Sequence, residues 1–264
     1  MLGLGLGYVG YGCLLRAHEA GGSRRHRVGS SRHCRTILQV SESLAGSGLA
    51  VVVQQWTQGK NPAEHADSFE RQYKLAALLK PMFVNSHTVR DFFGLDENLL
   101  ILDRAVRLES EMGIQVFHKT HRGHALFSAS ATAEILRRRP EVRLTADLSH
   151  RCCVHESLLE DQGPSVQLAV ERAHHIHTRV GFPEGPQIPD PRDPLWEPAM
   201  LAHLGWWRSI VEQRRADRCE VQTDCPEFGP APYMTVLPNS GQPIADLWSV
   251  NCYMRGWVES RLRI

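Results

Sequence analysis

No stretch of this 264-residue chain reaches the roughly 20 consecutive apolar residues of a membrane-spanning helix. The seven cysteines are odd in number and contain no C-x-x-C pair, which excludes a zinc ribbon and a disulfide framework and points to a reducing, cytoplasmic setting. Charge of one sign is also missing. Lys plus Arg is 30 against 29 for Asp plus Glu, a net of +1, so the chain carries no electrostatic footprint for nucleic acid or an anionic membrane. Repeats and low-complexity segments are absent. Hydrophobic residues at 42% and charged residues at 22% are ordinary globular usage and exclude a disordered chain. What stands out is histidine, at 14 residues.

The first 35 residues read as a Gly/Arg-rich leader, with the folded domain expected over 36–264. Gly5, Gly7 and Gly10 fit G-x-G-x-x-G, a pattern that brings backbone N–H groups onto a pyrophosphate when it links a strand to a helix. Only MLGL precedes it, and no acidic residue stands about 20 positions further on, so the context of a dinucleotide site is missing. A signal peptide fails too, because no basic segment precedes the apolar stretch. Arg24, Arg25, Arg27, Arg32 and Arg35 read as a solvated loop.

Beyond residue 36, β-branched runs alternate with stretches of helical apolar spacing. Strands are expected at 49–56, 81–88, 114–121, 142–150, 174–181 and 219–229. Helices are expected at 64–80 and 97–113, before Arg137–Pro140, and over 203–218 and 245–263. Such alternation builds βα units on a parallel sheet. Six units are short of the eight of a closed barrel. Residues 1–48 supply a helix near Cys34–Ala45 but no convincing pair of strands, so either the leader improvises the missing strands or the fold is irregular, incomplete or oligomeric at its N-terminal edge.

Polar residues gather at the C-terminal ends of these strands: Asn85, Ser86 and His87, then His118, Lys119, Thr120 and His121, then Asp147 and His150, then His175, His177 and Arg179, and last Glu227. In parallel α/β folds that edge is where loops converge on one pocket. A mixed Asp/His/Glu set favours Mn²⁺, Mg²⁺, Co²⁺ or Zn²⁺ over soft thiolate-seeking metals. A salt-bridged mouth without metal is the alternative reading. Trp206, Trp207, Trp248 and Trp257 read as packing aromatics, and Cys152 and Cys153 as inert thiols. The proline-dense segment Gly181–Pro194 reads as an ordered loop, either a lid or a passive crossover.

The stretches NSHTVRDFF (85–93), HKTHRGHALFS (118–128), LTADLSH (144–150), HIHTRVG (175–181), GPQIPDPR (185–192) and PEFGPAPYM (226–234) occur in an order and spacing that resemble the sugar phosphate isomerase/epimerase family. The resemblance covers roughly residues 45–264 and implies a xylose isomerase-like TIM barrel, an α/β (β/α) fold. It also implies a divalent metal held by Asp147, His177 and Glu227, with His150 close to substrate or ligands and His87, His121, Arg122 and Arg179 contacting a sugar. The implied reaction is isomerisation or epimerisation within carbohydrate metabolism, by metal-assisted proton transfer at the carbon α to a carbonyl.

Departures from the pattern bear on mechanism. Where the family reads H-E-T-H-R-G-R, this chain has Lys119 and His124, and Val89 replaces the glycine of N-S-H-T-G-R-D. A carboxylate offers lone pairs to a metal, whereas an ammonium offers donors alone. Lys119 is therefore either a deprotonated base and ligand, or a cation that replaces the ion by pairing with Asp147 and Glu227. A non-catalytic sugar-binding or vestigial protein is the rival reading. A third, from the abasic-site endonucleases of the same superfamily, is disfavoured by the near-neutral charge.

Overall fold

Three consecutive valines, Val51–Val53, make the body of strand β3 (Ala50–Trp56), which stands in a parallel sheet of the first of two compact units. The structure is a computed structural model that describes residues 6–9, 12–16, 50–219 and 221–262. Its two units are Met1–His118 and Lys119–Ile264. The helix expected near Cys34–Ala45 lies outside the described residues.

In the first unit, β3 pairs in parallel with β4 (Phe83–His87), and β4 with β5 (Gln115–Lys119). Phe83 and Phe117 stack across that pairing with ring centroids 4.3 Å apart. Helix α1 (Pro62–Ala77) starts where Asn61 accepts a hydrogen bond from the Glu64 N–H, and proline fills its first turn. It buries Ala66, Phe69, Tyr73 and Ala76, the i, i+3, i+4 stripe of a core-facing helix. Helix α2 (Leu95–Met112) stops at Gly113, whose φ of 72° is the left-handed cap a glycine adopts without strain.

Of the alternatives for the N-terminal region, the leader supplies strands. Where no strand pair was legible, β1 (Leu6–Val9) and β2 (Gly12–Arg16) run antiparallel, and β2 then pairs in parallel with β3. Glycine at alternate positions lowers β propensity, which hides these strands from a pattern reading.

Val89 explains its own irregularity. Its φ is 64°, a left-handed conformation that β-branched residues rarely adopt. The conformation is held by the Val89 N–H donating to Thr57 Oγ1 at 2.7 Å, and the side chain is fully buried. A glycine would take this backbone freely, so the valine carries strain of order 1–2 kcal/mol.

The second unit runs through α3 (Ala129–Arg138), β6 (Arg143–Ala146), α4 (Ser149–His155), α5 (Gly163–Glu171), β7 (Ala173–His177), α6 (Glu197–Ala216), β8 (Thr223–Cys225) and α7 (Leu247–Leu262). Strands β6, β7 and β8 are parallel neighbours, so all six expected strands are present, each shorter than its apolar run. Helix α5 was not foreseen. The core gathers Ile176, Ile188, Leu204, Trp207, Val250 and Met254. Trp206 and Trp257 pack against it as expected, but Trp248 is 62% exposed. Among the described residues, no helix is long and apolar enough to cross a membrane.

One core position is badly matched. Arg151 on α4 is fully buried, and among the described residues its three guanidinium nitrogens find no hydrogen-bond partner. Burial pulls its pKa down to about 10, so it stays charged at neutral pH. An unpaired buried cation is costly, and an apolar side chain of similar length removes that cost. Arg151→Met is expected to stabilise the protein by about 2 kcal/mol, raising the urea midpoint with an unchanged slope. A lower midpoint would show that the guanidinium has a partner.

Candidate functional site

The chemistry-bearing side chains of the second unit meet around Lys119, its first residue, and the ends of β6 and β7. Asp147 follows β6 directly, and Thr120 fixes its backbone: the Asp147 N–H donates to Thr120 Oγ1 at 2.8 Å, and that hydroxyl donates to the Asp147 carbonyl at 3.0 Å. Asp147 Oδ1 accepts from the Ser149 hydroxyl. Asp147 Oδ2 faces Lys119 Nζ at 3.0 Å and Arg179 Nη2 at 2.6 Å.

Glu227 closes the set from the segment after β8. Its Oε2 accepts from Lys119 Nζ and from His177 Nδ1, the latter at 2.5 Å, and lies 3.8 Å from Arg179 Nη2. Lys119 is therefore shared by two carboxylates that stand 80 residues apart in the chain (147 and 227). Arg179 also donates from Nε to Ser149 Oγ at 3.1 Å and from Nη2 to His150 Nε2 at 2.5 Å. The side chains of Lys119, Asp147 and His177 are at most 1% exposed, and Glu227 retains 14%.

Side-chain amides hold the Glu227 segment on both flanks. Gln187 exchanges hydrogen bonds with the Gly229 N–H (2.8 Å) and carbonyl (3.2 Å). Asn251 on α7 does the same with Phe228, both at 3.1 Å. Gln187 belongs to the proline-dense segment. Ile188 beside it is fully buried and donates its N–H to the Val180 carbonyl at 2.9 Å, so this part of the segment is packed. Gly181 at its start is required sterically, since a Cβ there would meet Ser149 O at 2.3 Å.

Electrostatics keeps the carboxylates ionised. Burial alone would raise Asp147, but the charges of Arg179 and Lys119 outweigh it and hold the group well below its ordinary value. Burial opposes ionisation of Glu227 likewise, and His177 and Lys119 bring it well down. His150 is driven well below its usual value by burial, only partly countered by Asp147, so it is a neutral imidazole that accepts from Arg179.

His121 lies over His150, with ring centroids 3.7 Å apart, and burial lowers it to about 3. Tyr233 stacks on Arg179, 4.7 Å from guanidinium carbon to ring centroid, and Arg122 sits exposed at 5.9 Å from the same ring. His87 belongs to the first unit, buried at the end of β4 and stacked on Trp56 at 4.5 Å. Burial pushes the Cys152 and Cys153 thiols up, which leaves both inert as nucleophiles.

Thr120 stood among the strand-end polar residues, whereas Ser149 and Tyr233 were missed as site residues. Both lie inside the quoted motifs, and Ser149 carries a readable signal as the hydroxyl two residues after Asp147. Asp224 gave no signal, yet burial raises its carboxyl to about 6.

Asp147, His177 and Glu227 bring one ligand atom each within 4.8 Å of the others, a grouping that could hold a metal ion. The donor set as it stands does not fit a divalent cation, because the Lys119 ammonium contacts an oxygen of each carboxylate that would bind it.

No protein-family model and no curated protein sequence matches the chain. Solved structures do. A xylose isomerase-like TIM barrel protein from Mycobacterium smegmatis, in complex with magnesium, is 14% identical, aligns over 89% of this chain and 79% of its own, and gives a TM-score of 0.56. An AP endonuclease, family 2, from Brucella melitensis is 10% identical over 83% and 82% of the two chains, with a TM-score of 0.49. The probable 3-DHS dehydratase AsbF from Bacillus anthracis is 13% identical over 76% and 79%, at 0.48. At these identities the likeness concerns the fold alone, which is the xylose isomerase-like TIM barrel.

Proposed function

We propose that this chain, with its xylose isomerase-like TIM-barrel fold, is an isomerase/epimerase-like enzyme acting on a small sugar or sugar phosphate. The reaction is proton transfer at the carbon α to a carbonyl. The supporting observation is the convergence of Lys119, Asp147, His177, Arg179 and Glu227 in one buried, hydrogen-bonded set at strand ends.

Glu227 has the base role. It is ionised and the most exposed member of the set, so a substrate C–H can reach its carboxylate. Removing that proton leaves an enediolate, whose negative charge falls on the former carbonyl oxygen. Lys119 and Arg179 are the cations placed to stabilise it in a site that excludes water. Ser149 and Tyr233 keep the Arg179 guanidinium in plane, and neutral His150 and His121 face the hydroxyls of a sugar. Returning the proton to the same carbon from the other face gives an epimer, and returning it to the neighbouring carbon, while the hydroxyl proton of the first carbon passes to the former carbonyl oxygen, exchanges aldose and ketose.

The test is deuterium uptake from D₂O into free and phosphorylated keto-sugars, followed by NMR. Wild-type protein is expected to exchange the proton α to the carbonyl, and Glu227→Gln to lower the rate by at least about 100-fold. The second reading, a sugar-binding protein without turnover, is favoured by one observation: each site carboxylate is already engaged by an ammonium. Sugar-dependent thermal stabilisation without exchange across the whole panel would establish that reading.

A further inference from the structure

Two cationic side chains and two carboxylates of the site match one another without any ion. Lys119 and Arg179 supply two positive charges, and Asp147 and Glu227 supply two negative ones, with every charge in contact with an opposite partner. Lys119 Nζ lies against both carboxylates of the Asp147–His177–Glu227 group, where a cation bound by that group would sit. Exchanging this lysine for a carboxylate changes the set by two negative charges, and one divalent cation restores that amount.

We propose that the Lys119 ammonium is the resident cation of this site, so that the protein is metal-independent. The site is accordingly one substitution away from being a divalent-metal centre. Several features follow from a side-chain cation. A tethered ammonium cannot dissociate or be removed by a chelator, so binding at the site is insensitive to EDTA. As a hydrogen-bond donor that cannot accept coordination, it meets a substrate oxygen through N–H contacts, one fewer positive charge than a divalent ion brings. The ammonium also contacts an oxygen of each carboxylate, and burial of such a set is tolerable only with its charges matched.

Lys119→Glu produces the complementary state. It places three carboxylates beside one guanidinium and one imidazole in a buried pocket, leaving two negative charges unmatched. That arrangement is expected to be unstable with EDTA and restored by Mn²⁺, which takes oxygen and nitrogen ligands of this kind.

The experiment compares thermal unfolding and isothermal titration of the full chain with Mn²⁺, no sugar being present. Its failure is therefore distinct from failure of the isomerase reading. Wild type is expected to show no titratable Mn²⁺ site and the same unfolding midpoint in EDTA and in millimolar Mn²⁺. Lys119→Glu is expected to bind one Mn²⁺ and to rise in midpoint by on the order of 5 °C. The added Asp147→Asn substitution should abolish that response. Stoichiometric Mn²⁺ binding by wild type, lost in Asp147→Asn, would overturn the proposal, as would a folded Lys119→Glu variant indifferent to Mn²⁺. Should Lys119→Glu fail to accumulate folded, Lys119→Gln carries the same comparison, with Mn²⁺ binding supporting the proposal and its absence overturning it.

Discussion

Asp147→Asn is expected to destabilise the protein by about 3–5 kcal/mol at pH 7.5, a loss large enough to move the urea midpoint by more than any surface change. The carboxylate is fully buried and its Oδ2 lies within 3.0 Å of both Lys119 Nζ and Arg179 Nη2. An amide keeps the shape but removes the charge, and turns an NH₂ group toward donors or toward the Ser149 hydroxyl. Glu227 alone then faces two buried cations, one of them at 3.8 Å. The cost arises chiefly from the unmatched charge left behind, so removing Lys119 in the same background should recover part of it. If Asp147→Asn unfolds within 1 kcal/mol of wild type by urea titration, the site is solvated and loosely held, and the electrostatic argument for Lys119 fails with it.

The second large effect is acid lability well above the carboxylate range. His118 and His203 are 2% and 0% exposed, and burial lowers them to about 3 and about 4. The unfolded chain binds protons at these groups near pH 6.5, whereas the folded chain refuses them until far lower pH. Their contribution is therefore complete above about 6.5 and is lost as pH falls toward the folded values. The two groups together give a slope of roughly 3 kcal/mol per pH unit between about pH 4 and 6. His150 and His175 act in the same direction, and Asp224, raised to about 6, opposes them over the same interval. The consequence at His203 is local. Its Nε2 accepts from the Gly181 N–H at 3.2 Å while Nδ1–H donates to Ala199 O at 2.9 Å, so a second ring proton would meet a donor and release Gly181. Urea midpoints measured from pH 7.5 to 5.0 should fall steeply below pH 6.5. A flat profile to pH 5 would mean that these imidazoles reach water.

Much of this site was legible because parallel strand ends converge whatever lies between them. Asp147, His177, Arg179 and Glu227 stood in short motifs whose order reflects strand order, and the structure brings all four together with Lys119 and His150. The supports were not legible, because nothing in a sequence pairs Gln187 with Gly229 or Asn251 with Phe228 across 42 and 23 residues. His87 ended its strand as read and stacks on Trp56 of the neighbouring strand. The glycine-to-valine departure at position 89 was noticed as a motif difference, but its left-handed backbone is a property of coordinates. The strands β1 and β2 were missed because glycine erases the alternation by which a strand is recognised. Arg151 drew no reading, since nothing in the sequence separates a buried arginine from a solvated one.

The account rests on the Lys119 ammonium being electrostatically locked between carboxylates that the chain brings together from distant positions. A double-mutant cycle between Lys119→Gln and Glu227→Gln, read by urea unfolding at pH 7.5, measures that lock. A coupling energy of about 2 kcal/mol or more is predicted, with the double variant more stable than the sum of the single losses allows. Additivity within about 0.5 kcal/mol would contradict it.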